Sequence, residues 1–221
     1  MLPNKIVIAG CGLSGMITAL AFARYNIPTI IIERRSVDHK DFFNDIRTTA
    51  LTSSSKKFFE HIGIWDKLSE VTGVFNDIYV IDNRASDMIH FASSSLKNDM
   101  KMGYLIQNTD FKKLLFLAVS SNEFINLIKN TEYEVTKSTE LGCTVSLDNG
   151  DIHECDLLIV CDGRGSKIRR RYFSSNIEKS YNQHAITFIV YHEKQHEGTS
   201  VEHFMTNGPF AILPLKDQNI S

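Results

Sequence analysis

Apolar residues at the start of the chain follow the pattern of a strand, a helix and a second strand. Residues 6–9 and 29–32 are short apolar runs rich in isoleucine, which is typical of strands buried in a parallel sheet. Between them, residues 13–25 carry apolar side chains at helical spacing, and residues 26–28, which include a proline, end the helix. The pattern predicts a strand–helix–strand unit of an α/β fold.

The rest of the chain alternates helices and strands. A helix is predicted at residues 52–62, and a second at residues 110–119 with Asn108 or Thr109 as its cap. An Asp-Asn-Gly turn at residues 148–150 predicts a hairpin. Strands are predicted at 74–82 and 88–91 as an antiparallel pair, at 125–128, 132–137, 144–147 and 152–155, and at 186–191 and 200–205 around a polar hairpin tip.

A glycine-rich turn joins the first strand to the first helix. Gly10 suits a tight turn, Gly12 lets a pyrophosphate approach the backbone, and Gly15 lets the helix pack on the strand. The alternative is a chance glycine turn, but the flanking strand and helix favour a dinucleotide site. The predicted phosphate-binding residues are Gly10, Gly12, Leu13, Ser14 and Gly15.

The second strand ends in a carboxylate. Glu33 is in position to accept hydrogen bonds from a ribose diol, and it disfavours a ribose 2′-phosphate. Arg34 and Arg35 follow directly, either as a solvated turn or with one of them, Arg34 in our assignment, against an adenine or a phosphate.

Composition excludes some classes of function. The 221 residues are 43% hydrophobic with a net charge of −2, which allows a sizeable core and gives no electrostatic footprint for nucleic acid. The four cysteines lack metal-ligand or paired spacing, so we predict reduced thiols in a cytosolic protein without a metal. We expect no signal peptide and no membrane span.

A further apolar strand is predicted at residues 156–161, and Asp162 and Gly163 follow at its end. We expect this strand to be buried on both faces in the same sheet as residues 6–9, with its tip at the ligand-binding edge. A basic helix follows at residues 166–173. Its cluster of positive side chains is either a solvated face or a contact for phosphate or anionic lipid, and comprises Lys167, Arg169, Arg170 and Arg171.

These residues carry a family resemblance. Residues 161–169, Cys-Asp-Gly-Arg-Gly-Ser-Lys-Ile-Arg, resemble the Asp-Gly motif of single-component flavin monooxygenases of the para-hydroxybenzoate hydroxylase class. Residues 45–51, 59–65, 104–108 and 208–215 more narrowly resemble the ubiquinone-biosynthesis hydroxylases. The resemblance implies a Rossmann-like FAD-binding domain with a parallel sheet at residues 1–73 and 103–175. It also implies an incomplete antiparallel-sheet substrate domain at residues 74–102 and 176–221.

The same resemblance implies the cofactors and the chemistry. FAD would lie against the glycine turn and Glu33, with Arg47 and Asn108 near the cofactor and with Asp162 and Gly163 lining it. NADH or NADPH would bind transiently as electron donor, and the reaction would be hydroxylation of a phenolic ring. No catalytic residue is assigned.

Residues 192–196 match the zinc-binding pattern His-Glu-x-x-His, whose two histidines must lie one helical turn apart. Because the preceding residues are β-branched and aromatic and Gly198 follows closely, we predict a polar hairpin tip instead.

The family's downstream Gly-Asp flavin motif does not occur before Ser221, so we expect an N-terminal portion that binds FAD weakly and hydroxylates poorly alone. Residues 210–215 would then be an unpaired apolar edge strand. Alternatives are a non-catalytic dinucleotide-binding remnant, a subunit of a split quinone-biosynthesis complex with a separate C-terminal half, and a flavin reductase. A prenylated phenol as substrate implies a cytoplasmic location with peripheral contact to the inner membrane.

Overall fold

The computed structural model describes residues 5–84, 87–97, 100–173, 177 and 179–221. The strands in this part of the chain are Ile6–Ala9 (β1), Thr29–Glu33 (β2), Thr48–Leu51 (β3), Gly73–Phe75 (β4), Asp77–Asp82 (β5), Met88–Ala92 (β6), Gly103–Gln107 (β7), Ile125–Lys129 (β8), Tyr133–Thr139 (β9), Gly142–Leu147 (β10), Ile152–Cys155 (β11), Leu157–Val160 (β12), Thr199–Met205 (β13) and Gly208–Ile212 (β14). The α-helices are Leu13–Ala23 (α1), Ser53–His61 (α2), Trp65–Ser69 (α3), Asn108–Ser120 (α4) and Lys167–Tyr172 (α5), and short 3-10 turns lie at Lys40–Phe42 and Ser93–Ser95.

A parallel sheet in the order β12-β1-β2-β8 confirms the predicted α/β class. Its second strand, β1, is fully buried along its length and pairs in parallel with both β2 and β12. Helix α1 connects β1 to β2 and buries Met16, Ala19 and Leu20. Parallel neighbours need such a crossover, so the predicted strand–helix–strand unit forms as expected.

Strand β12 joins this sheet beside β1, but the prediction that it is buried on both faces is wrong. Leu157 is 40% exposed, and the other three residues of β12 are only partly buried. The reason is its place at the end of the described sheet, where a strand neighbour exists on one side only. In β12 the continuous apolar run therefore predicted the sheet correctly, but it did not predict how far the side chains are buried.

Strands β9, β10 and β11 form an antiparallel sheet, with the predicted hairpin between β10 and β11. Gly150 closes its turn at φ +92°, a conformation that favours glycine. All four cysteines are free thiols. Their spacing suggested no pairing, but Cys143 and Cys155 face each other across the hairpin, where the Cys155 thiol donates to the Cys143 carbonyl at 3.5 Å.

Two further sheets have the orders β3-β7-β4 and β14-β13-β5-β6. The single strand predicted at residues 74–82 is divided into β4 and β5, which belong to different sheets. The division falls at Asn76, whose backbone N–H donates to the Gly198 carbonyl at 2.8 Å and whose carbonyl accepts from Ser93. The predicted antiparallel pairing with residues 88–91 is confirmed for β5 and β6.

The hairpin predicted around residues 192–196 is wrong. Residues 186–190 form no strand, and β13 pairs in parallel with β5 and antiparallel with β14. The preceding segment instead bonds to the last residues of the chain, with Val190 and Ser221 exchanging backbone hydrogen bonds at 2.9 and 3.1 Å. Residues 192–196 are not helical, so the His-Glu-x-x-His pattern lacks the geometry of a zinc site.

By backbone contacts the chain divides into two compact units, residues 1–44 with 112–185 and residues 45–111 with 186–221. The second unit contains residues 45–73 and 103–111, which the family resemblance assigns to the FAD-binding domain. The reason is that β3 and β4 both pair with β7. The predicted boundary at residues 175 and 176 lies outside the described residues. None of the described helices is long and apolar enough to cross a membrane.

Candidate functional site

The turn after β1 closes only because it is built from glycine. Gly10 has φ +104°, and a Cβ atom there would lie 2.5 Å from the Cys161 carbonyl oxygen. A Cβ atom on Gly15 would lie 2.0 Å from the Gly10 carbonyl oxygen. Both positions therefore exclude a side chain, which matches the turn and packing roles predicted for them.

Gly12 differs from these two glycines because it faces open space. A Cβ atom there would meet nothing within 4 Å, and the backbone has ordinary dihedral angles, φ −78° and ψ −177°. Gly12 is the N-cap of α1, which has no side-chain cap and no acidic residue in its first turn. The amides of Leu13 and Ser14 belong to this first turn. An uncapped helix start with open space before it suits a phosphate group.

The Glu33 carboxylate is bound into the same loop. Glu33 is 4% exposed, and its Oε2 accepts a hydrogen bond from the Cys11 backbone N–H at 2.8 Å. Its Oε1 accepts from the Arg35 backbone N–H at 2.9 Å and from Arg35 Nε at 3.3 Å. Each carboxylate oxygen has about two acceptor positions. One therefore remains on Oε2 for a ribose hydroxyl.

Cys11, whose backbone N–H binds this carboxylate, is fully buried. Burial, and secondarily the negative charge of Glu33, raises the pKa of Cys11 from 9.0 to about 12. The thiolate is the nucleophilic form of cysteine, and a raised pKa disfavours it.

Arginines of α5 hold the loop that follows β12. Gly163 has φ +83°, and its carbonyl accepts from Arg169 Nη1 at 3.3 Å. Arg170 donates to the carbonyls of Gly165 and Ser166, each at 3.3 Å. Arg171 pairs with Glu134 at 2.7 Å. These three side chains thus have partners within the protein, while Arg170 and Arg171 stay exposed, as expected for a solvated helix face.

The glycine turn, the tip of β2 and the loop after β12 line one cleft of about 300 Å³. It brings together six predicted site residues: Gly10, Gly12, Glu33, Arg34, Asp162 and Gly163. This is the edge of a parallel sheet at which ligands bind in open α/β folds. A dinucleotide fits this cleft for three reasons: the space beside Gly12 is open, the start of α1 is uncapped, and the Glu33 carboxylate is buried.

Tyr133 also lines the cleft and was missed from the sequence. It is the first residue of β9, and its hydroxyl pKa is raised by burial and then by the charge of Asp162. The alternation of residues in β9 indicated that Tyr133 shares a face with Val135, but nothing local connected it with Glu33 or Asp162.

Two further predicted site residues, Arg47 and Asn108, belong to the second unit and are joined there by Asp45. Arg47 donates from Nε and Nη2 to the two carboxylate oxygens of Asp45, at 2.8 and 2.6 Å. Asn108 Nδ2 donates to Asp45 Oδ2 at 3.2 Å, and Asn108 Oδ1 accepts from the Thr49 hydroxyl at 2.5 Å. The hydrogen bonds from Arg47 lower the pKa of the Asp45 carboxyl from 3.8 to about 2.

The two residues differ in exposure. The Arg47 side chain is 70% exposed, whereas Asn108 is 6% exposed and uses both ends of its amide inside the network. Asn108 is the first residue of α4 and fixes the backbone of Arg47, whose carbonyl accepts from the Asn108 N–H at 2.8 Å. A direct contact of Asn108 with a cofactor stays a prediction.

Relatives of known name include ubiquinone hydroxylases. Ubiquinone hydroxylase UbiL of Rhodospirillum rubrum is 27% identical over 211 residues, which cover 95% of this chain and 49% of the relative. Ubiquinone hydroxylase UbiM of Neisseria meningitidis is 26% identical over 226 residues, covering 98% and 48%. The chain spans about half the length of these curated relatives.

Solved structures share the fold. PqsL of Pseudomonas aeruginosa in complex with 2-aminobenzoylacetate matches with a TM-score of 0.74 at 14% identity, covering 96% of this chain and 57% of that one. The flavin-dependent monooxygenase PieE in complex with FAD and substrate matches with a TM-score of 0.59 at 19% identity, covering 76% and 31%. A model of the FAD binding domain family matches residues 4–219, and the chain belongs to that family.

Proposed function

We propose that this chain is the FAD-binding portion of a flavin-dependent monooxygenase that hydroxylates a phenolic ring in ubiquinone biosynthesis. The observation that carries the proposal is the cleft in which Gly12, the start of α1 and Glu33 meet the loop at Asp162 and Gly163. The names of the relatives support the choice of substrate pathway.

Each part of the cleft has a task toward FAD. The amides at the start of α1 bind the pyrophosphate, and Glu33 Oε2 accepts a hydrogen bond from the adenosine ribose. Asp162 and Gly163 line the cofactor. A role of Arg47 toward the cofactor stays a prediction. When bound, FAD supplies the redox chemistry, with NADH or NADPH as its electron donor.

The second unit contains a groove suited to an apolar substrate. It encloses about 470 Å³ and is lined mainly by Ile186–Val190 and Pro209–Leu213, with Leu105 beside them. Its charged lining groups are Arg47 and Glu202. Apolar walls with a few polar groups suit a prenylated phenol, whose polar end is small. Peripheral contact with a membrane belongs to the same proposal, because a polyprenyl chain partitions into lipid.

A second candidate is a non-catalytic FAD-binding subunit that pairs with a separate polypeptide. The observation that favours it is the position of β14 at the end of its described sheet, with Phe210 43% and Ile212 37% exposed. An exposed apolar edge strand is suited to pairing with another chain. Co-purification with a polypeptide that carries the Gly-Asp motif would favour this candidate.

The test is titration of the purified chain with FAD. Binding is monitored by the quenching of flavin fluorescence and by the visible spectrum. The matched variant is Gly12→Ala, because its methyl group fits the free protein but obstructs a phosphate. We expect Gly12→Ala to keep the far-UV circular dichroism and the melting temperature of the wild type while weakening FAD binding at least about tenfold.

Equal affinity of Gly12→Ala and wild type for FAD would contradict the proposed site. Hydroxylation is tested separately, by NADPH-dependent oxygen uptake coupled to formation of a hydroxylated phenol. Turnover without product would favour a reductase.

A further inference from the structure

Strands β10 and β11 place two cysteines directly opposite each other. In the antiparallel pairing of these strands Cys143 is the partner of Cys155, which lies 12 positions later in the chain. Opposite residues of an antiparallel pair have Cα atoms about 4.5 to 5.5 Å apart, within the range of about 4.4 to 6.8 Å that a disulfide spans. Their side chains point to the same face of the sheet. The two thiols can therefore be joined without a change of strand register.

Both cysteine side chains belong to the same apolar region of the first unit. Cys155 is 5% exposed. It lies in a buried cluster with Val7 of β1 and Ile32 of β2, and Cys143 packs against this cluster. The Cys155 thiol donates to the Cys143 carbonyl at 3.5 Å, and the Cys143 thiol donates to the Ser138 hydroxyl at 3.6 Å. Because Cys143 is only partly buried, it is the thiol of this pair that a small solute can reach.

The backbone around this pair is closely packed. Gly142, which precedes Cys143, has φ +146°, and a Cβ atom there would lie 2.4 Å from the Cys155 carbonyl oxygen. A side chain at Gly142 would therefore push the two strands apart beside the cysteines. Asp156 follows Cys155 and is bound to Lys5, since its N–H donates to the Lys5 carbonyl at 3.0 Å. The cysteine pair thus lies where the hairpin leads into β12 of the parallel sheet.

We propose that Cys143 and Cys155 are an oxidation site, at which hydrogen peroxide produces an intramolecular disulfide that fastens the hairpin beside the parallel sheet. First the Cys143 sulfur attacks a peroxide oxygen, the O–O bond breaks, and a sulfenic acid and one water form. The Cys155 sulfur then attacks the sulfenic sulfur, the S–O bond breaks, and a second water leaves as the S–S bond forms. The two thiols together lose two electrons, which reduce the peroxide to water.

The environment of Cys155 makes this oxidation slow. Burial raises the pKa of the Cys155 thiol, and the neighbouring Cys143 raises it further. Since the thiolate is the attacking form, the second step should be slower than for an exposed thiol with an ordinary pKa. The register of the strands compensates in part, because it holds the two sulfurs close together.

The experiment treats the reduced, purified chain with an excess of hydrogen peroxide, without FAD, so that its outcome does not depend on the proposed function. Free thiols are counted after denaturation, and linked peptides are identified by mass spectrometry. We expect the four free thiols to fall to two, with the peptides of Cys143 and Cys155 joined and lighter by two hydrogens. The oxidised chain should melt about 5 °C higher than the reduced chain, because the bond closes a loop in the unfolded state. A thiol reductant should reverse both changes.

The matched variants are Cys143→Ala and Cys161→Ala, each of which removes one partly buried cysteine. Cys143→Ala should keep its remaining thiols and gain no melting temperature on oxidation, whereas Cys161→Ala should still lose two thiols and gain as much as the wild type. Thiols that stay free, a disulfide between any other cysteines or between two chains, or a sulfinic acid as the only product would overturn the proposal. A linked Cys143–Cys155 pair that lowers the melting temperature would also overturn it, because the bond would not fit the native hairpin. Far-UV circular dichroism of the reduced variants excludes unfolding as the cause.

Discussion

The glycine cleft of the first unit and the Asp45 network of the second unit both carry groups suited to an anion, but they are built differently. The cleft is made of backbone: Gly10 and Gly15 leave no room for a Cβ atom, and the donors are helix amides. The network is made of side chains, with an exposed arginine held by a carboxylate. Backbone sites are part of the fold, whereas a side-chain site can be removed from an intact fold.

The largest effect expected from this difference is on Gly10. Gly10→Ala places a methyl group 2.5 Å from the Cys161 carbonyl oxygen and also forces an L residue to φ +104°. We expect a loss of about 3 kcal/mol or more in the free energy of unfolding, measured by urea denaturation. Gly12→Ala is the control and should unfold like the wild type, since its Cβ meets nothing within 4 Å. Equal stability of both variants would show that the turn tolerates side chains.

Glu33 combines features of both kinds of site, because its side-chain carboxylate accepts hydrogen bonds from backbone N–H groups. Glu33→Ala leaves the Cys11 and Arg35 amides without their acceptor, and we expect a loss of about 2 kcal/mol in the free energy of unfolding. Binding of FAD should weaken more than binding of FMN, which has no adenosine ribose. Glu33→Gln retains an acceptor oxygen and should be intermediate in stability. Equal losses for FAD and FMN would contradict the ribose assignment.

Asp45 should show a smaller effect that depends on pH. Its pKa in the folded protein is about 2 against an ordinary 3.8, so its carboxylate stabilises the fold above pH 3.8, and that stabilisation is lost as the pH falls through 2. At pH 7 we expect Asp45→Asn to cost about 1 kcal/mol or less, because Arg47 is exposed to solvent. Urea titrations from pH 7 down to pH 2 should show the difference between variant and wild type shrinking below pH 4. A difference independent of pH would assign the cost to packing.

Local signals explain why much of the first unit could be predicted. Strands β1, β2 and β12 contain continuous apolar runs, and the glycine turn is recognisable from the spacing of its three glycines. The predictions that were wrong concern segments whose structure depends on residues far away in the sequence. The break at Asn76 depends on Gly198, and residues 186–190 have strand-like side chains without a strand to pair with.

The same distinction applies to the candidate site. Gly12 and Glu33 are recognisable within the first 35 residues, because one strand–helix–strand unit positions both. Asp45 accepts a hydrogen bond from Asn108, 63 residues later, and Tyr133 reaches the cleft from a different sheet. Single-sequence patterns do not report such contacts, since they depend on how separate elements pack.

The smallest effect should come from Arg171, whose ion pair resembles that of Arg47 in length but not in surroundings. Arg171 pairs with Glu134 at 2.7 Å, and both side chains are more than half exposed. Asp45 differs because it is 22% exposed and receives further hydrogen bonds from Asn108 and from the backbone. An ion pair between two solvated side chains gains little, because water screens the attraction and both side chains lose freedom. We therefore expect Arg171→Gln to match the wild type in urea midpoint and in FAD affinity. A clear loss of urea midpoint or of FAD affinity would show that exposed ion pairs on α5 support the loop after β12. The ion pairs of Arg171 and Arg47 would then differ less than their surroundings suggest.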